Sequence, residues 1–137
     1  MTAGAERGRE PDSELVSIIM PTYNCGAFIG ETIASVQAQT HSHWELLVVD
    51  DCSTDDTAEV VAALAENDPR IHYVRLETNS GAAMARNRAM ELAQGRYMAF
   101  LDSDDLWHPD KLRRQIDFMT SRGVAMSCTA YAQIDEQ

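Results

Sequence analysis

Apolar and polar positions along the chain alternate between short solid apolar runs and longer stretches with helical spacing. Val16–Met20 is a short apolar run that Pro21 is expected to end, so it reads as a buried strand. Over Phe28–Gln39, Ile29, Ile33 and Val36 recur at i, i+4 and i+7, the spacing of an amphipathic helix. Trp44–Val49 is a second apolar strand, followed directly by Asp50 and Asp51. Ser53–Thr57 is rich in residues that cap helices, and a helix follows with Val60, Val61 and Leu64 on one face. Pro69 breaks the chain, and Ile71–Leu76 reads as a third strand. Gly81 opens an Ala-rich helix carrying Ala82, Ala85, Ala89 and Leu92, which stops at Gly95. Tyr97–Leu101 is a fourth strand. Pro109 suits the first turn of a helix, on which Leu112, Ile116 and Met119 again repeat at i, i+4 and i+7. Gly123 ends that helix, and Val124–Tyr131 can form a fifth strand.

Strand and helix thus alternate four times before a last strand, with no internal repeat. That order predicts an α/β domain with a mostly parallel, Rossmann-like sheet and helices on both faces. Strands that are apolar along their length agree with burial on both faces. Ligands in such sheets bind beyond the carboxyl ends of the strands. Both acidic clusters of the chain, Asp50–Asp56 and Asp102–Asp105, lie at such an end.

Composition narrows the picture. A length of 137 residues suits one domain with a real core. Residues 1–14, rich in Gly, Glu and Arg, read as a disordered leader, leaving 15–137 as the domain. The net charge of −11, from 22 acidic and 11 basic residues, argues against nucleic-acid binding and against an electrostatic membrane anchor. No apolar run approaches the ~20 residues that span a bilayer. Cys25, Cys52 and Cys128 are odd in number and widely spaced, with no CxxC. That disfavours a disulfide framework or a zinc site and fits a reducing compartment.

Four strand ends carry candidate chemistry. After strand one, Pro21-Thr22-Tyr23-Asn24 offers the Tyr23 ring to a base, with an ordinary βα turn as the plainer reading. After strand two, Asp55, Asp56 and Thr57 are suited to helix capping. Asp50 and Asp51 sit too early to cap, so one of them is the better candidate for a ribose or base edge. In the third segment, Gly81 permits close backbone approach, and Arg86 is a cation for a phosphate or for a structural ion pair. The fourth is Asp102-Ser103-Asp104-Asp105. Three carboxylates within four positions repel one another unless a cation sits among them. A divalent ion shared with a phosphate-bearing substrate is the simplest such cation.

Together these segments resemble the nucleotide-sugar-binding half of an inverting family 2 glycosyltransferase with the GT-A fold. The resemblance rests on Val16–Asn24, on Val48–Ser53 with Asp56 and Thr57, on Asn79, Gly81, Ala85, Arg86 and Asn87, and on Phe100–Asp105 followed by Trp107, Pro109, Lys111 and Leu112. It covers residues 15–131. It implies transfer of a sugar from a nucleotide diphosphate, a UDP-sugar above all, to an acceptor hydroxyl, in cell-surface polysaccharide synthesis. Pro21, Tyr23 and Asp51 would line the base, and Gly81 would lie beside the nucleotide. Asp102 and Ser103 would approach ribose and donor sugar. Asp104 would bind Mn²⁺ or Mg²⁺ bridging the diphosphate, with Asp105 behind it. A cytoplasmic location follows, with a peripheral position on the inner face of the membrane as an option.

Two departures stand out. Family members usually carry Gly where this chain has Cys52, so a turn requiring φ > 0 would be strained there. The family's general-base carboxylate belongs to an acceptor-side half that follows Gln137, so no catalytic base is assigned. The chain reads as a donor-binding half; the alternative is a non-catalytic nucleotide-binding or assembly module. Other α/β families fit less well. A receiver domain needs its acidic pair after strand one. A dehalogenase-type phosphatase needs its D-x-D there too. A dinucleotide-binding oxidoreductase needs G-x-G-x-x-G, and a sugar nucleotidyltransferase a Gly-rich loop.

Overall fold

A computed structural model of the chain describes residues 14–125. Within it, strands and helices alternate: β1 (Val16–Thr22), α1 (Ile29–Gln37), β2 (Trp44–Asp50), α2 (Thr57–Asn67), β3 (Ile71–Arg75), α3 (Ala82–Leu92), β4 (Tyr97–Phe100) and α4 (Lys111–Arg122). The four strands form one parallel sheet in the order β3-β2-β1-β4. The expected fifth strand, Val124–Tyr131, falls almost wholly outside the described residues.

Side-chain alternation along the central strands builds two cores. Val16, Ile18 and Met20 of β1, with Leu46 and Val48 of β2, face Ile29, Ile33 and Val36 of α1, Val61 of α2, and Leu112 and Ile116 of α4. Ile19, Leu47 and Val49 face Ala85 and Ala89 of α3. Helices therefore cover both faces, as the alternating pattern requires. Each fully buried Val, Leu or Ile contributes roughly 1.5–3 kcal/mol.

Several boundaries differ from expectation. Pro21 does not end β1; it pairs with Val49 inside the strand. The Ile19 carbonyl accepts from Leu101 N on the β4 side, and Pro21, two residues on, turns its nitrogen to that same side. The β1–β4 ladder stops at Ile19–Phe100, so no bond is lost to the missing N–H. Pro109 lies outside α4, whose cap is Asp110. Gly123 closes α4 as foreseen, in the left-handed conformation at φ 65° that glycine adopts freely. β4 is not buried on both faces. Met98 and Phe100 are exposed, Phe100 by 53%, because α3 lies over β1 and β2.

Candidate functional site

The loops after β1 and β2 are laced together by side-chain oxygens. Asn24 takes a left-handed conformation at φ 50°, one of the few residue types that does so readily. Its Oδ1 accepts from Thr54 N at 2.8 Å, and its own N–H donates to Ser53 Oγ at 2.8 Å. Cys25 N donates to Thr57 Oγ1 at 3.0 Å, and Gly26 N to Asp55 Oδ2 at 3.0 Å. This lacing leaves Tyr23 facing outward, 47% exposed, at the carboxyl edge of the sheet. Pro21 lies buried beneath it. Asp55 also accepts from Thr57 N and Thr57 Oγ1. The capping therefore falls to Asp55 rather than to Asp56, which makes no side-chain cap bond. The Thr57 hydroxyl, with the nearby amides, holds the Asp55 carboxyl below its usual range despite some desolvation.

Asp50 and Asp51 divide the labour that sequence left open between them. Asp50 is fully buried. Its Oδ1 accepts from Ser53 N at 2.9 Å and Ser53 Oγ at 2.5 Å. Its Oδ2 accepts from Tyr73 Oη at 2.5 Å and faces Arg75 Nη1 at 3.8 Å. Burial, then this carboxylate, pushes the Tyr73 phenol up to about 12. Asp51 is aimed at the loop before α3. Its Oδ1 accepts from Ser80 N at 2.6 Å and its Oδ2 from Gly81 N at 2.8 Å. Its carbonyl accepts from Asn79 Nδ2 at 3.1 Å. A carboxylate has about four acceptor positions, so Asp51 retains capacity toward a ligand.

Between these loops, Cys52 stands at φ 68°. The strain foreseen for a non-glycine residue is present, at a cost of about 1–2 kcal/mol. Arg75 Nη2 lies 3.5 Å from its Sγ. Gly81, at φ 98°, has nothing within 4 Å of where a Cβ would sit. Its conformation, not crowding, demands glycine, and the space beside it is open. Arg86, one turn into α3, is half-buried.

After β4 the chain turns sharply, and Asp105 N donates to the Asp102 carbonyl at 3.1 Å. Asp102, Asp104 and Asp105 are all exposed. Burial, then the charges of Asp104 and Asp102, push the Asp105 carboxyl up from its usual value. Ser103, between them, is 5% exposed. Its hydroxyl accepts from Thr22 Oγ1 at 3.0 Å, and its carbonyl from Thr32 Oγ1 at 3.0 Å. Ser103, expected to approach the donor, also ties the turn to β1 and α1 through these bonds. Among the described residues, no three His, Cys, Asp or Glu side chains converge into a complete metal cage. A Mg²⁺-like ion carried with phosphates needs only one or two protein carboxylates. This exposed set of hard oxygens fits that requirement.

The structure therefore gathers Tyr23, Asp51, Gly81 and the Asp102–Asp105 turn along one edge of the sheet. Sequence reasoning missed the hydroxyls of Thr22 and Thr32. It also missed Tyr73 as the partner of Asp50. A Thr at the end of a strand or inside an amphipathic helix carries no signal by itself, and the Tyr73 contact joins two strands.

Known proteins share this fold. The model of Glycosyl transferase family 2 matches residues 17–137. TuaG of Bacillus subtilis, a glycosyltransferase named for teichuronic acid biosynthesis, is 55% identical over 118 residues, which are 86% of this chain and 47% of TuaG. S. aureus TarS 1-349, solved in complex with UDP, has a TM-score of 0.73 at 35% identity, covering 79% of this chain and 32% of that one. The mannosyltransferase PcManGT from Pyrobaculum calidifontis, solved with GDP-Man and Mn²⁺, has a TM-score of 0.71 at 30% identity, covering 80% and 34%. The chain spans about half the length of the first curated relatives it matches. No helix among the described residues is long and apolar enough to cross a membrane. With four parallel strands ordered β3-β2-β1-β4, helices on both faces and these relatives, the chain has the GT-A architecture and belongs to glycosyl transferase family 2.

Proposed function

We propose that this chain is the donor-holding half of a glycosyltransferase that draws its sugar from a UDP-sugar and uses Mn²⁺ or Mg²⁺ at the turn after β4. The observation that carries this reading is the turn itself. Asp102, Asp104 and Asp105 stand together, exposed, at the carboxyl edge of the sheet, and the charges of Asp104 and Asp102 add to burial in raising the Asp105 carboxyl. The UDP bound to TarS and the Mn²⁺ bound to PcManGT support the choice of nucleotide and metal.

The residues divide the donor between them. The outward ring of Tyr23 offers a stacking face to the base above Pro21. Asp51 shapes the base subsite by fixing Ser80 and Gly81 and has lone pairs left for a base N–H. Gly81 keeps the space beside the nucleotide clear. Arg86 supplies a cation toward the phosphates. Asp102 approaches the ribose and sugar, and Asp104 holds the metal with Asp105 behind it. Ser103 approaches the ribose and sugar beside Asp102 and also anchors this turn. When bound, the metal neutralises charge on the departing nucleoside diphosphate. TuaG's name supports an acceptor in cell-surface polysaccharide synthesis.

Calorimetry with UDP tests the metal reading. UDP should bind weakly without Mn²⁺ and at least tenfold more tightly with it, and Asp104→Ala should abolish that gain. Equal affinity with and without Mn²⁺, or an undiminished gain in Asp104→Ala, would overturn it.

A further inference from the structure

A polar stripe joins α1 to the chain that follows β4. Thr32 and Ser35 lie on α1 and Gln39 lies just past its end, at spacings i, i+3 and i+7 that put them on one side. Each grips a different point of the same segment. Thr32 Oγ1 donates to the Ser103 carbonyl at 3.0 Å. Ser35 Oγ accepts from Trp107 N at 3.1 Å. Gln39 Nε2 donates to the His108 carbonyl at 2.7 Å, and its Oε1 accepts from Leu112 N at 3.1 Å. From β1, Thr22 Oγ1 donates to Ser103 Oγ at 3.0 Å.

Thr22, Thr32, Gln39 and Ser103 are all buried. The turn is therefore clamped at Ser103 from two sides and tied down again between Trp107 and Leu112. The clamping atoms touch none of its carboxylates, which stay exposed. A turn that is rigid in its backbone yet leaves its charged side chains free is how a ligand site is held ready.

We propose that Thr32, assisted by Thr22, is a positioning residue for the donor's metal. Its hydroxyl fixes the backbone at Ser103, so that the neighbouring Asp104 presents its carboxylate in register with a metal–diphosphate. The proposal rests on the reading of the turn as the metal site. Mg²⁺-like ions demand near-ideal octahedral geometry, so a small shift of the turn costs metal affinity. Groups that orient metal ligands from behind typically matter by about 10–100-fold in metal affinity.

The test measures UDP affinity with and without Mn²⁺ for the 137-residue chain, Thr32→Val, Thr32→Ser, Thr22→Val and Asp104→Ala, together with each thermal midpoint. Thr32→Val should reduce the Mn²⁺-dependent gain about tenfold and leave metal-free affinity within about twofold. Thr32→Ser, which keeps the hydroxyl, should restore the gain. A purely structural hydroxyl would lower the midpoint of Thr32→Val without changing the gain. That result, with Asp104→Ala still abolishing the gain, overturns the positioning role and spares the metal reading. An unchanged gain in Asp104→Ala overturns both. If Thr32→Val does not fold, Thr22→Val decides: a reduced gain supports the clamp, and an intact gain sinks it.

Discussion

Two acidic segments flank β1, one after β2 and one after β4, and they are in opposite condition. After β2, Asp50, Asp51 and Asp55 each accept two or more hydrogen bonds from the protein. After β4, Asp102, Asp104 and Asp105 are exposed, and Asp105 is held above its usual range by burial and by its neighbours' charge. Composition does not distinguish the two segments; the supply of donors does. Where carboxylates already have N–H and O–H partners, their job is to fix loops. Where like charges are crowded and exposed, the proposed partner is the donor's metal.

The largest expected effect tests the saturated side. Asp50→Ala would leave Ser53 N, Ser53 Oγ and Tyr73 Oη without their acceptor. At about 1 kcal/mol or more for each orphaned buried donor, the loss should reach roughly 3 kcal/mol in urea denaturation. Arg75 adds little, because its side chain is 45% exposed and water can take over its charge. A loss below about 1 kcal/mol would mean that the β2 acids are as free as those after β4, and the contrast would fail.

A smaller effect on the same side appears in alkali. The Tyr73 phenol titrates at about 12 in the folded chain against an ordinary value of 10.0. A folded-state pKa raised above the unfolded one gives stability that is fully present below pH 10 and is lost as pH rises toward 12. The contribution is about 1–2 kcal/mol after allowance for partial exposure. Stability measured from pH 9 to 12 should therefore fall more steeply for the parent chain than for Tyr73→Phe. Parallel curves would show that Asp50 does not engage the phenol.

Much of this was legible in the sequence, for physical reasons that also mark where legibility ends. Burial of β1 and β2 on both faces forces solid apolar runs such as Val16–Met20, so the parallel sheet could be read directly. The switch from apolar residues to carboxylates after Leu101 marked the end of β4. Pro21 misled because its effect depends on which neighbour its nitrogen faces, a property of register rather than composition. Met98 and Phe100 misled because an apolar strand can still lie beyond the helix that covers its neighbours. The difference between the two acidic segments was hidden most deeply. Asp50 is satisfied by Tyr73, 23 residues away, and Asp51 by amides 29 and 30 residues away. The clamp from Thr32 to Ser103 spans 71 residues. Local pattern reports which face a residue occupies, not which distant donor reaches it.

The smallest effect sharpens the contrast from the unsaturated side. Asp105→Asn removes one of three like charges from a single turn while keeping the side chain's shape. Asp105 is exposed, so solvent screens the repulsion. The gain in stability should be no more than ~0.5 kcal/mol, yet its sign is opposite to that of Asp50→Ala. The sign should reverse when Mn²⁺ and UDP are present, because the charge that burdens the empty turn then contributes to binding. Thermal midpoints of parent and variant, with and without Mn²⁺–UDP, read both halves of this expectation. If Asp105→Asn destabilises the chain without ligand, the turn has an internal use for its charge, and the division between the two acidic segments does not hold.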